Sequence, residues 1–271
     1  MSDKFIDIDK ILTEKSPKLK RWIPFFVVRY LKRVLHQKEI NQILIDNKNN
    51  NDYDFCVSIL SEFNIKVNLI GSENIPKQGG VIFTCNHPLG GMDALAIVQE
   101  ISPFRKDIKF VVNDILLNLK NLKGLFVGVN KHGGNSKQSI LELNKTFESE
   151  QAVFVFPAGL VSRKAKGKIH DLIWKKTFVT RSKKFKKNVI PLHIDGELSN
   201  FFYRLSSLRT KLGLKANIEM LYLIDETLKQ KNKSYTISIG EPIPYTTFDK
   251  TKSDIEWAKF VKEKVYRLKK N

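Results

Sequence analysis

The sequence predicts an α/β protein: a mostly parallel or mixed sheet layered with helices, preceded by a helical N-terminal segment. Three observations carry this expectation. Short apolar runs bounded by turn residues recur after Asn64, longer stretches of helical character separate them, and nothing before Asn64 alternates as a strand would. The chain has 271 residues, 42% of them hydrophobic, which is ample for one large core with a helical appendage. The change of character sets a boundary between a helical segment, 1–64, and an α/β domain, 65–271.

Pro24 suits the first turn of a helix, and Val27, Val28, Leu31, Val34 and Leu35 follow at helical spacing, with Arg29, Lys32 and Arg33 on the other side. Helices are also expected over residues 38–45 and, beyond a polar turn at 47–51, over 55–63. Residues 65–70 then alternate with period two, Gly71 turns the chain, and the apolar run Val81–Cys85 reads as a buried strand. A helix over 92–101 comes next. Further strands are expected at 108–112, 125–129, 152–156, 189–194, 216–223 and 235–239, separated by helices such as 137–150 and 199–212. The last helix, 253–270, carries Trp257, Phe260, Val261, Val265 and Leu268, which should pack on the sheet.

Lys and Arg number 47 against 28 Asp and Glu, a net charge of +19 that draws the chain toward polyanions. Its distribution favours an anionic membrane surface. From Lys15 to Lys38 there are eight basic residues and no acidic one, interleaved with Trp22, Phe25, Phe26 and aliphatic side chains. A basic amphipathic helix of this kind lies in the headgroup layer, each cation contributing about 1 kcal/mol near the surface. Packing on the rest of the protein is the competing use of such a helix, and different faces can serve both. The uninterrupted apolar run 23–28 is six residues long, far short of the roughly 20 that a spanning helix needs. With no secretory signal at Met1–Lys4, the expected location is the cytoplasmic face of the inner membrane, peripherally bound. No helix-turn-helix, finger or RNA-binding signature accompanies the charge, so nucleic acid is not an expected partner. Cys56 and Cys85 lack metal-ligand spacing, as do His36, His132, His170 and His193, so no metal site is expected.

The chemistry concentrates in Thr84-Cys85-Asn86-His87-Pro88-Leu89-Gly90-Gly91-Met92-Asp93, directly after the strand 81–85. Open α/β sheets keep their sites at the carboxyl ends of strands. A histidine held by a carboxylate is suited to general-base work, because the carboxylate fixes the tautomer and stabilises the imidazolium formed when a hydroxyl loses its proton. His87 and Asp93 therefore point to acyl transfer to an alcohol, weighed against a hydrogen-bonded structural histidine.

Other segments add to this pair. Gly124-Leu125-Phe126-Val127-Gly128-Val129-Asn130-Lys131, Val153-Phe154-Val155-Phe156-Pro157-Ala158-Gly159 and Val189-Ile190-Pro191-Leu192 follow it in order. Together the four blocks resemble the signatures of the glycerolipid acyltransferase family, from about Ile65 to Pro244. Asn-His-Pro-Leu-Gly-Gly with Phe-Pro-Ala-Gly-Leu-Val-Ser-Arg-Lys resembles its bacterial hemolysin-like branch, similar to the O-acyltransferases that complete ornithine and glycine lipids. Three departures stand out. Five residues lie between His87 and Asp93 where the family usually has four, Ala158 replaces the usual Glu, and Lys131 replaces the usual Arg, giving a point charge in place of a bidentate fork.

The resemblance implies the glycerolipid-acyltransferase fold and transfer of a fatty acyl chain from a thioester, acyl-ACP or acyl-CoA, to the hydroxyl of a lyso-lipid. An amino-acid lipid is the favoured acceptor; 1-acylglycerol-3-phosphate is the alternative. His87 and Asp93 are the catalytic residues implied. Asn86, Gly90, Gly91, Lys131, Pro157, Gly159, Ser162, Arg163 and Lys164 are the substrate-binding candidates, with Gly90 and Gly91 offering main-chain N–H groups to the oxyanion. No cofactor is called for, and no covalent enzyme intermediate, since no Gly-x-Ser-x-Gly elbow is present. Between Arg163 and Lys187 eleven basic residues accompany the single acid Asp171, either a solvated loop and helix face, as charge runs usually are, or a dock for an acidic acyl carrier protein through Lys175, Lys176, Lys183, Lys184, Lys186 and Lys187. A reading of another class is a membrane-binding scaffold that has kept the fold without activity.

Overall fold

The computed structural model describes residues 6–15, 21–129 and 137–269. Along the described chain run helices α1 (Ile8–Lys15), α2 (Phe25–Val34), α3 (Gln37–Asp46) and α4 (Asp52–Glu62), then strands β1 (Lys66–Ile70) and β2 (Val81–Cys85). Helix α5 (Gly91–Ile101), β3 (Ile108–Asn113), β4 (Phe126–Val129), α6 (Lys137–Glu148) and β5 (Ala152–Val155) follow. After β6 (Arg163–Ala165), β7 (Lys168–His170), α7 (Thr177–Phe185) and β8 (Asn188–Asp195) come α8 (Asn200–Lys211) and α9 (Leu223–Leu228). Strand β9 (Ser234–Ile239) and helix α10 (Asp254–Arg267) close the chain.

These elements group into two compact units. One comprises Asn50–Glu197 with Lys231–Asn271 and contains the sheet, in the order β1-β9-β8-β2-β5-β3-β4. Every neighbouring pair is parallel except β8 with β9. The expected α/β class is therefore observed, as a mixed, mostly parallel sheet. Strand β2 is the middle strand and is buried throughout, as a mostly apolar strand covered on both faces should be. The edge strands β1 and β4 are half exposed.

Alternation along β2 and β5 divides their side chains between the two faces. On one face Ile82, Val153 and Val189 pack with Phe147, Trp174, Phe178, Trp257, Val261 and Val265, so the final helix lies on the sheet as its spacing predicts. The other face carries a stack of Phe83, Phe154 and Phe110, with ring centroids 4.4 and 5.0 Å apart. Ser253 caps α10 reciprocally with Glu256. Both cysteines are free and buried, Cys56 on α4 and Cys85 at the end of β2. Buried Arg105 gathers the chain at the opposite end of β2, donating to the carbonyls of Pro76, Gly79 and Glu150 and to Asp107.

The other unit combines the described residues up to Asn49 with Leu198–Gln230, a segment that follows β8 and precedes β9 in the chain. Buried Gln37 and Asn41 of α3 accept the main-chain N–H groups of Ile8 and Ile6 at 2.9 and 2.8 Å, satisfying donors that a helix start leaves open. His36 Nε2 lies 2.9 Å from Asp225 of α9, and the hydroxyls of Tyr30 and Tyr222 meet.

Two local expectations are corrected here. Residues 216–223 are not a strand: Ile218–Tyr222 is a 3₁₀ turn leading into α9. A short apolar run is equally compatible with strand and helix, and the deciding contact is tertiary, because fully buried Glu219 is held 2.9 Å from the Arg209 guanidinium of α8. The basic run after Arg163 is not only loop and helix. It opens with the antiparallel hairpin β6–β7, turning on Lys166 and Gly167, both at positive φ.

Candidate active site

His87 stands just past the carboxyl end of β2, and Asp93 lies in the first turn of α5. The loop between them closes on itself. Gly90, at φ 72° and ψ −127°, takes a backbone conformation that a side chain would oppose, and this absorbs the five-residue spacing. His87 Nδ1 then lies 2.8 Å from Asp93 Oδ2, which also accepts the Leu89 N–H at 3.0 Å. Asp93 is fully buried, and its second oxygen, Oδ1, has no hydrogen-bond partner among the described residues. Burial pushes the Asp93 carboxyl up from its ordinary range, opposed by its hydrogen bond to His87. The imidazole is partly open to solvent and stacks on Phe156, which follows β5, with centroids 4.2 Å apart. With Nδ1–H directed at the carboxylate, Nε2 is the nitrogen left to take a proton.

The main chain of His87 is fixed from both sides. Its N–H donates to Asp171 Oδ1 at 3.1 Å, and its carbonyl accepts the Ser162 N–H at 2.7 Å. Asp171 is buried and also accepts from Ser162 Oγ at 2.5 Å and Trp174 Nε1 at 2.8 Å. Its own N–H donates to the Tyr266 hydroxyl, and Lys262 Nζ donates to its carbonyl, both at 2.7 Å. Sequence reasoning left Asp171 outside the site. The available signal was a lone acid in a basic run, three residues before a tryptophan whose N–H needs an acceptor once buried.

The expected binding residues fall into three groups. Asn86 and Ser162 have their side chains committed within the protein: Asn86 exchanges two hydrogen bonds with the Ile194 main chain at 2.8 and 2.7 Å, clamping β2 to β8, and Ser162 binds Asp171. Gly90, Gly91, Pro157 and Gly159 lie in the two segments that follow β2 and β5. Gly91 opens α5 on the exposed side, where an added Cβ would meet nothing within 4 Å, whereas Pro157 and Gly159 belong to the turn after β5. Arg163 and Lys164 begin β6; Arg163 donates to the carbonyls of Val161 and Ser162, and Lys164 Nζ is 3.9 Å from Glu197. Lys131 lies outside the described residues. Of the lysines suggested for carrier-protein docking, Lys183 is paired with Asp254 and Lys187 with Glu150.

A histidine–carboxylate pair at the end of the middle strand, with an exposed glycine at the adjoining helix start, is equipped for proton transfer. A family profile described as Acyltransferase matches residues 10–271. The chain belongs to the acyltransferase family. This acyltransferase is 45% identical over 264 residues to the lyso-glycine lipid O-acyltransferase of Phocaeicola vulgatus, covering 97% of this chain and 95% of that protein. It is 44% identical to the protein of the same name from Bacteroides thetaiotaomicron, with 97% of each covered. A crystal structure of the 1-acyl-sn-glycerophosphate (LPA) acyltransferase PlsC from Thermotoga maritima aligns with 91% of this acyltransferase and 94% of that chain, at 19% identity and a TM-score of 0.48.

Proposed function

We propose that this acyltransferase moves a fatty acyl chain from an acyl thioester to the hydroxyl of a lyso-glycine lipid, with His87 as general base and Asp93 orienting it. The observation that carries the reading is the 2.8 Å contact of His87 Nδ1 with a fully buried carboxylate, in a chain about 45% identical to proteins named for that reaction. His87 Nε2 takes the acceptor's hydroxyl proton as its oxygen attacks the thioester carbonyl. The tetrahedral oxyanion is met by main-chain N–H groups around Gly90 and Gly91. As the C–S bond breaks, the imidazolium returns the proton to the thiolate, so ester and free thiol are the products and His87 is regenerated. The donor is acyl-ACP or acyl-CoA, and no further cofactor enters.

Arg163, Lys164 and Lys131 are assigned to the acidic headgroup, whose carboxylate needs cationic partners. Asn86 and Ser162 act on the site's shape through the bonds that hold β8 and Asp171. Pro157 and Gly159 set the turn beside Phe156. Peripheral attachment to the anionic inner leaflet is assigned to α2 and to Trp22 just ahead of it, because Trp22 and Phe25 are 83% and 81% exposed beside exposed Arg21, Arg29 and Arg33. No described helix is long and apolar enough to cross a membrane.

The test is mass spectrometry of lipids from a host expressing wild type beside His87→Ala, with lyso-glycine lipid and lysophosphatidic acid both available. An O-acylated glycine lipid that falls by about 10²–10⁴-fold in the variant is expected. Acylation of lysophosphatidic acid alone would replace the acceptor assignment, and identical profiles from folded protein would replace the base.

A further inference from the structure

The unit formed by the N-terminal helices and Leu198–Gln230 exposes more apolar surface than α2 accounts for. Helix α8 buries Phe202, Tyr203 and Ser206 on one side. Phe201, Leu208 and, at its C-cap, Leu212 recur at spacings of seven and four, which places them in one stripe on the opposite side. All three are exposed, Leu212 at 65%, and Leu214 beyond the cap is exposed too. Arg204, Lys211 and Lys215 of the same stretch are exposed, whereas Arg209 is paired with buried Glu219. An apolar stripe beside exposed cations is complementary to acyl chains beneath anionic phosphates.

This stripe is continuous with the face already assigned to α2. The hydroxyls of Tyr30 and Tyr222 meet, and the Tyr222 ring sits edge-on against Phe201 at 5.0 Å between centroids. The path Phe26, Tyr30, Tyr222, Phe201, Leu208 thus joins two exposed apolar faces within one unit.

We infer that α8 with Leu212 and Leu214 is a second contact surface for an anionic lipid bilayer, so that the enzyme grips the membrane through two stretches far apart in sequence. The inference rests on the lipid-acceptor reading only for its biological sense; the surface is tested by itself. Full-length protein is sedimented with phosphatidylcholine vesicles containing or lacking phosphatidylglycerol. The variant Leu208→Glu/Leu212→Glu/Leu214→Glu and, separately, Phe25→Glu/Phe26→Glu should each weaken binding to the anionic vesicles by about tenfold or more, the scale set by several large apolar side chains leaving the acyl layer. Both should keep wild-type turnover of a short-chain acceptor that is monomeric in water. Should the triple variant not fold, Leu212→Ser/Leu214→Ser beyond the helix reads the same surface and should weaken binding several-fold. Wild-type vesicle binding by the folded α8 variant overturns the inference. So does a wild-type dimer that this variant dissociates without change in vesicle binding, because the stripe would then belong to a second copy of the chain. If wild type binds vesicles through this stripe yet acylates no lyso-lipid, the functional reading fails while the surface stands.

Discussion

Asp171 accepts the main-chain N–H of His87 at 3.1 Å although 84 residues separate them. With the Ser162 N–H on the His87 carbonyl, this fixes the backbone that carries the base, independently of the Asp93 contact that fixes its ring. The two carboxylates thus hold different parts of one residue.

Asp171→Asn should separate from Trp174→Phe. The amide presents N–H to a cage of three donors, so a loss of about 1–3 kcal/mol in stability is expected together with a fall of about 10- to 100-fold in turnover from a displaced base. Trp174→Phe removes one donor and leaves the His87 contact, costing about 2–4 kcal/mol from the cavity and the unpaired Oδ2 with turnover near wild type. Urea denaturation and steady-state kinetics on both variants check this; equal turnover losses would remove the distinction.

Asp93→Asn should lower turnover by about 10²–10⁴-fold, since a neutral amide cannot stabilise the imidazolium. Stability should hold or rise by about 1 kcal/mol, because a fully buried carboxylate with an unpartnered oxygen becomes neutral. Thermal unfolding beside an acyl-transfer assay reads both effects.

His193, on β8, is pushed down to about 4 by burial from an ordinary 6.5. The unfolded chain therefore binds the proton first as pH falls, and stability declines between about pH 6.5 and 4 by up to about 1.4 kcal/mol per pH unit. Asp93, raised by burial from 3.8, contributes with the opposite sign as pH rises above that value. The difference between wild type and His193→Gln isolates the histidine: the variant should lose less stability on acidification, measured as urea midpoints from pH 7 to 4.

Arg209→Leu should cost about 3–5 kcal/mol, because it strands the buried Glu219 carboxylate, whereas Arg209→Leu/Glu219→Leu should recover most of the loss. Equal melting temperatures for the two variants would show that the pair is not coupled.

The sheet strands were legible because β2, β5 and β8 are short apolar runs ended by turn residues, and α10 because its apolar side chains recur at helical spacing. His87 and Asp93 were legible because six positions of chain bring them together. Asp171 was not, because its contact with His87 spans 84 residues and the nearby tryptophan marks only a buried acceptor, without saying which main chain that acceptor also holds. Residues 216–223 misled because their apolar side chains suit strand and helix alike, and only the partner Arg209 explains why Glu219 is buried there. The exposed stripe of α8 escaped notice for the opposite reason: apolar residues at helical spacing read as core, and spacing does not tell which of two apolar faces meets water.

The two cysteines of the core have a practical consequence for handling this enzyme. Burial pushes the Cys56 thiol up to about 12 and the Cys85 thiol well above its ordinary value, and neither is accessible. Native protein should therefore ignore iodoacetamide and mild oxidants, since only the thiolate reacts. Cys85 ends the strand that leads to His87, and Cys56 lies on a helix of the same unit, so alkylation at either sulfur becomes a clock for opening of the fold. Slow loss of activity under such reagents would time the breathing of the core, with no thiol taking part in the acyl transfer.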